Sequence, residues 1–482
     1  MKKLIAVLLL LALALSLIAC GKEAEGDNAG EKNPLDGIYS LGYSRVNITP
    51  TYSVPLGGYG NTEERMSEGL LSYLYTTCIA LTDAQGDTVL MFQNDLEGTY
   101  EVILDNIRLS ISQKVGVPQE NILVSATHTH SAPDYVNAKV ESTSTYCTDL
   151  GNWMTQAAEE ALADRKELTG LSSGSITVPV HTLNFTRHYT TEAGIVVGDN
   201  FGDLVNSPYT GHVRDADSQL QLIRFQRKDA TPITLMNWQT HPHRAGGGKQ
   251  YDMTADLVGA LQEEYTKKTG DLSIYFIGAS GNINPSSRIT KENITKDFRE
   301  QGKALAAYAV ECFNNNLMER QIGDVQIKNH TYVGTVNHTE DHKVANAQKV
   351  QAEWTANNNF TAAVQLANKY GINSPYHANG IINKSKMGAT YDVKMCAISI
   401  GDSIGFVTAP FEMYSELGEF IKENSPYEST IVITMCNGHL GYVPSEIGYD
   451  YNSYGANTGR FIKGTGEAMA QVYVDLLKEL HG

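Results

Sequence analysis

Apolar runs recur along the chain, and each stops abruptly at polar or glycine-containing sequence. Asp87–Phe92 runs into Gln93-Asn94-Asp95, Ile122–Ala126 into HTHSAP, and Ile233–Trp238 into QTHPHRAGGG. Leu272–Ile277 runs into GASGNINPSS, Ile404–Thr408 into APFE, and Thr430–Met435 into CNGHLGYVP. Short β-branched runs bounded by turn residues predict buried strands. Between them, apolar residues at 3.6-residue spacing predict helices over Glu101–Val115, Trp153–Lys166, Thr254–Lys268, Lys296–Phe313 and Gly464–Leu480. A further strand-like run covers Ser175–Leu183, and residues from His342 to Tyr370 read as a long polar-faced helix or hairpin, a lid or side element. Strands alternating with helices predict an α/β fold: one large domain with a mixed sheet flanked by helices. In such sheets ligands bind beyond the carboxyl ends of the strands, where these polar loops lie. A metal site is expected there.

The N-terminus adds an address. Lys2 and Lys3 precede the apolar stretch Leu4–Ala19, which is short for a membrane span of about 20 residues. Leu17-Ile18-Ala19-Cys20 reads as a lipobox, making residues 1–20 a bacterial lipoprotein signal, with Cys20 the lipidated residue after cleavage. The expected location is the bacterial cell membrane, lipid-anchored on its extracytoplasmic face. Residues 21–38 are polar and read as a flexible tether. Removing Lys2 and Lys3 takes the formal net charge from −17 to −19, which excludes nucleic acid as a partner. Beyond Cys20 stand Cys78, Cys147, Cys312, Cys396 and Cys436, an odd number without a CxxC pair, so no disulfide framework or cysteine-zinc site is legible.

The candidate chemistry centres on two His-x-His pairs, His128/His130 and His241/His243, each just past a strand. Residues i and i+2 of an extended chain share a face, so His128 and His130 can aim into one space. Imidazole is the usual nitrogen ligand of zinc, and a catalytic zinc keeps about three protein ligands. Glu412 is read as opening a helix, where the macrodipole favours its charge. The loop around His439 carries Tyr442, Tyr449, Tyr451 and Tyr454, a binding surface or the rim of the core. The turn Gly278–Pro285 offers backbone amides that could face an anion, although it lacks a phosphate-loop pattern. Taken alone, Arg187 reads as a surface arginine.

An ordered series of motifs from Gly42 to Tyr473 resembles the neutral/alkaline non-lysosomal ceramidase family, zinc-dependent amidases that cleave the N-acyl bond of ceramide. The motifs are GYSRVNITP, PLGGYG, Arg65-Met66-Ser67-Glu68-Gly69, Asn94-Asp95-Leu96, HTHSAP, NFTR, NWQTHPH, SGNINP, APFE, and GYVPSE through Tyr454. The resemblance implies a Zn2+ cofactor held by His128, His241, Glu412 and Tyr442. It implies His130 beside the metal, for proton transfer or orienting water, Tyr454 stabilising the oxyanion, and Arg187 near the substrate amide. Zinc acidifies a bound water and polarises a carbonyl, so no protein nucleophile is required.

Three departures bear on the substrate. Asn284 replaces the family serine in Gly281-Asn282-Ile283-Asn284-Pro285, excluding a hydroxyl nucleophile there while leaving a catalytic hydrogen-bonding role. Gly455 follows Tyr454 where the family has glutamate. Residues 39–482 cover the catalytic domain, and the C-terminal β-sandwich domain of better-known members is expected to be missing. The expected function is a zinc-dependent amidohydrolase acting on ceramide or a related N-acyl lipid. One alternative is a zinc hydrolase of the same fold for a small soluble ester or amide, from cell envelope or host glycans. The other is a non-catalytic ligand-binding lipoprotein.

Overall fold

The computed structural model describes residues 35, 37–59, 65–136, 139–194, 196–198, 208–287, 289, 297–357 and 359–482. The signal segment, the lipobox with Cys20, and most of the tether lie outside the described residues. From Gly37 to Gly482 the chain forms one compact unit.

The main sheet contains β1 (Ser40–Asn47), β2 (Tyr75–Thr82), β3 (Thr88–Asn94), β4 (Ile122–Ala126), β5 (Lys166–Thr177), β6 (Gln219–Arg227), β7 (Ala230–Trp238), β8 (Leu272–Ile277) and the short β9 (Met318–Arg320). Its order is β8-β7-β6-β5-β1-β2-β3-β4, with β9 beside β5. The pairs β3/β4 and β7/β8 are parallel and the rest antiparallel, so the sheet is mixed as expected. A second sheet follows, β10 (Val325–Thr335), β11 (Thr390–Ile400), β12 (Ile404–Thr408) and β13 (Ser429–Ile433), in that order, with β12/β13 parallel.

Side-chain alternation explains the layers. Cys78, Ala80, Phe92, Val124, Met236 and Ile277 point to one face of the main sheet and pack on helices Glu101–Val115, Glu141–Ala163, Asp256–Thr269 and Phe298–Asn315. Ile79, Leu81, Met91, Leu235, Ile274 and Phe276 point the other way, against Ile398, Ile400, Phe406 and Ile431 of the second sheet. That sheet's outer face, including Met395 and Val407, packs on helices Ser415–Asn424 and Thr465–His481. Helices flank the structure as expected, but around two stacked sheets. Both sheets have strands buried on both faces, hence their continuous apolar sequence.

The carboxyl ends are laced together. Thr434 N–H donates to Ile277 O at 2.9 Å, Ala126 N–H to Met435 O at 3.1 Å, and Asn437 N–H to Val124 O at 2.9 Å. The segment after β13 thus bridges β4 and β8, the two ends of the main sheet. It brings the loops after β3, β4, β7, β8, β12 and β13 to one place.

Three expectations shift. The helix predicted over Trp153–Lys166 runs from Glu141 to Ala163, and Lys166 opens β5 instead. Buried Thr143, Tyr146, Leu150 and Met154 extend its apolar face back through a polar sequence. The strand expected over Ser175–Leu183 is the tail of β5, and it ends at Thr177. The region from His342 to Tyr370 forms two helices, Val344–Asn357 and Phe360–Lys369, which pack with Pro375–Lys384 around a small separate core that includes Val350, Ala367 and Ile381.

Candidate active site

His128 follows β4 with a left-handed backbone, φ 68°, costly for a residue with a Cβ and typical of functional sites. Its amide donates to Leu96 O at 2.9 Å, and its ring Nδ1 lies 2.6 Å from Glu97 O. A carbonyl can only accept, so Nδ1 carries the proton and the Nε2 lone pair faces inward. His241, after β7, repeats the arrangement, with Nδ1 2.9 Å from Ile283 O. Both Nε2 atoms converge on Oε2 of Glu412, at 3.5 Å from His128 and 3.1 Å from His241. His130 completes the group: its Nε2 is 3.4 Å from Nε2 of His128. Donor atoms of His128, His130 and His241 all lie within 4.8 Å of one another.

Lone pairs and a carboxylate facing one another at these distances repel unless a cation lies among them. The protonation tendencies agree. Burial pushes His241 down to about 3. Burial and the neighbouring imidazoles also hold His130 well below the usual histidine range. Both therefore stay neutral, as ligands must. For His128 burial works downward, but Glu412 outweighs it and raises the pKa, as expected where a proton takes a cation's place. Burial of Glu412 favours its neutral form, yet the neighbouring His128, His241 and His439 rings outweigh it and hold the carboxyl well below the carboxylate range. The donor set of imidazoles and a carboxylate suits a zinc-type ion.

Glu412 corrects one expectation. It opens no helix: Glu412–Met413 is a short strand pairing in parallel with Tyr442–Val443, and the helix begins at Ser415. Its charge is held by histidines, not by a helix terminus. The same pairing sets Tyr442 directly beside Glu412.

Arg187 is also no surface residue, at 6% exposure. It follows the two-residue strand Phe185–Thr186, which pairs with Ile283–Asn284, so NFTR and SGNINP form one ladder. Its amide donates to Asn282 O at 2.9 Å, and its Nη2 donates to Gly281 O. The guanidinium lies 5.0 Å from the Tyr442 ring centre and 5.8 Å from that of Tyr454, with the two rings edge to face at 5.3 Å. Burial opposes its charge, but Tyr442, Tyr414 and Glu412 outweigh that and raise its pKa. Asn284 is buried, its Oδ1 3.3 Å from His243 Nε2.

Three amides of Gly278–Pro285 are committed to carbonyls and do not face an anion: Gly278 to Trp238 O at 3.0 Å, Gly281 to Met413 O at 2.7 Å and Ile283 to Ser280 O at 2.9 Å. Of the loop tyrosines, Tyr449 is structural, donating to Phe461 O at 2.6 Å.

Two solved structures share this architecture. The crystal structure of neutral ceramidase from Pseudomonas aeruginosa matches with a TM-score of 0.68 at 16% identity, over 92% of this chain and 75% of that one. The fold is that of a neutral ceramidase. A ceramidase complexed with C2 gives a TM-score of 0.67 at 15% identity, again over 92% and 75%. No protein-family model and no curated protein matches the chain.

Within the ceramidase fold, the Gly455 departure has a local cause. Its amide donates to the hydroxyl of buried Tyr414 at 3.2 Å, and a Cβ there would lie 2.5 Å from that oxygen. Gly455→Ala is therefore expected to displace the short helix Tyr454–Thr458. We expect a loss of about 1–3 kcal/mol in stability and reduced turnover. Thermal unfolding with a parallel activity assay checks both. The small core of three helices reaches this point too: Tyr376 packs edge to face on Tyr454 at 5.7 Å.

Proposed function

We propose that the protein is a zinc-dependent hydrolase that cleaves an N-acyl amide, ceramide or a related N-acyl lipid. The observation carrying this reading is the convergence of His128, His130 and His241 nitrogens within 4.8 Å of one another, with Glu412 against two of them. Zinc bound there supplies a Lewis acid and a water acidic enough to attack at neutral pH. His128, His241 and Glu412 are the holders, with Tyr442 beside Glu412 as the fourth. His130 joins the donor group through Nε2 while its buried Nδ1 has no hydrogen-bond partner among the described residues, leaving that atom to take or give a proton.

Arg187 and Tyr454 supply the electrostatic part. Burial raises the Tyr454 pKa, so its hydroxyl stays protonated as a donor. Together with the charged guanidinium it can stabilise negative charge gathering on a carbonyl oxygen. Asn284 has no ionisable oxygen, so it acts as a hydrogen-bonding residue and no acyl-enzyme forms through it.

The test is a panel of N-acyl and O-acyl compounds, with short-chain ceramide analogues, run beside Glu412→Ala. Wild type should release fatty acid from at least one member and the variant from none. Equal rates throughout would leave the non-catalytic ligand-binding reading.

We also propose a lipid anchor at Cys20 on the extracytoplasmic face of the membrane. No helix among the described residues is long and apolar enough to cross a bilayer, and an anchor requires none. Wild type should partition into detergent and Cys20→Ser into the aqueous phase. Wild type wholly in the aqueous phase would remove the anchor.

A further inference from the structure

Glu412 has two carboxylate oxygens, and the histidine cluster engages only Oε2. Its Oε1 lies 3.7 Å from Nε2 of His439. The other ring nitrogen of His439, Nδ1, is buried without a hydrogen-bond partner among the described residues and lies 3.8 Å from Oε2 of Glu97. One imidazole thus stands between two carboxylates. Glu97 is itself fixed, since Tyr100 donates to that Oε2 at 2.6 Å and packs its ring 4.8 Å from that of His439. The backbone carbonyl of Glu97 is the one that orients His128. Glycine at 98 makes room, for a Cβ there would lie 2.5 Å from Nδ1 of His439. The His439 loop is stitched to the Glu412 segment by Leu440 N–H to Pro410 O at 2.8 Å and Glu412 N–H to Gly441 O at 2.9 Å.

We propose that His439 is a positioning residue for the metal centre, braced by Glu97 and seated over Gly98, which fixes the Glu412 carboxylate so that Oε2 faces His128 and His241. The inference rests on the reading of that cluster as a metal site. A carboxylate held at one oxygen alone can rotate about its terminal bond, and the second contact removes that freedom. Partners that orient a ligand in this way typically carry about 10–100-fold of metal affinity.

The experiment measures zinc affinity of the full chain by competition with a chromophoric chelator, alongside the unfolding midpoint of the metal-free form. His439→Ala should weaken zinc binding about 10–100-fold with the metal-free midpoint unchanged. Gly98→Ala, which displaces the ring, should weaken it in the same direction. His439→Gln, which keeps an N–H donor beside Oε1, should recover part of the loss. His128→Ala serves as the reference and should bind far more weakly than any of these. If His128→Ala weakens binding but His439→Ala does not, the brace is overturned and the metal site stands. The brace is also overturned if affinity falls only in step with metal-free stability. If His128→Ala binds zinc as tightly as wild type, the metal site fails and the brace with it.

Discussion

Alanine at His241 is expected to release the metal and abolish hydrolysis. His241 is 1% exposed, its Nδ1 is committed to Ile283 O at 2.9 Å, and its Nε2 lies 3.1 Å from Glu412. The ring is thus aimed by the backbone before any ion arrives. With so few protein ligands, losing one should reduce affinity by more than the roughly hundredfold typical of an outer partner. It also leaves Glu412 facing a cavity with one fewer contact to hold its charge. Elemental analysis after gentle purification should find about one zinc per chain in wild type and almost none in His241→Ala or His128→Ala. Retention in both variants would refute the site.

The second large effect is at Arg187. Arg187→Ala should lower kcat by about 10²–10³-fold, the cost of removing one preorganised donor from an oxyanion site, while zinc content stays near wild type. Arg187→Lys should recover little, because an ammonium cannot both bond the Gly281 carbonyl and stack on Tyr442 as a planar guanidinium does. Steady-state kinetics with metal analysis on the same samples separates this from ligand loss. A variant with unchanged kcat and raised KM would make Arg187 a binding residue.

Much of this site is legible in the sequence because its parts are local. A His-x-His just past a buried strand needs no distant information, and β4, β8 and β12 fall on their expected residues because two-faced burial leaves unbroken apolar runs. Other features depend on residues far apart in the chain. Nothing near Ile404 discloses that β12 belongs to a second sheet stacked on the first. Arg187 looks exposed until Tyr442 and Tyr454 close over it. Gly455 looks like a lost glutamate until Tyr414 is placed against it. Glu412 followed by an apparent helix start suggests a helix terminus, whereas its pairing with Tyr442, thirty residues later, makes it a strand. The first half of helix Glu141–Ala163 was hidden for another reason: its buried residues lie one turn apart in a polar sequence with weak helix propensity.

Metal removal and return asks whether hydrolysis depends on an ion held by His128, His241 and Glu412. Protein stripped with a chelator and dialysed should stay folded, lose its hydrolysis of the N-acyl panel, and regain it on titration with zinc, saturating near one ion per chain. Hydrolysis by the stripped protein as fast as by the loaded one, with the stripped sample free of metal by elemental analysis, would rule out a metal-dependent site.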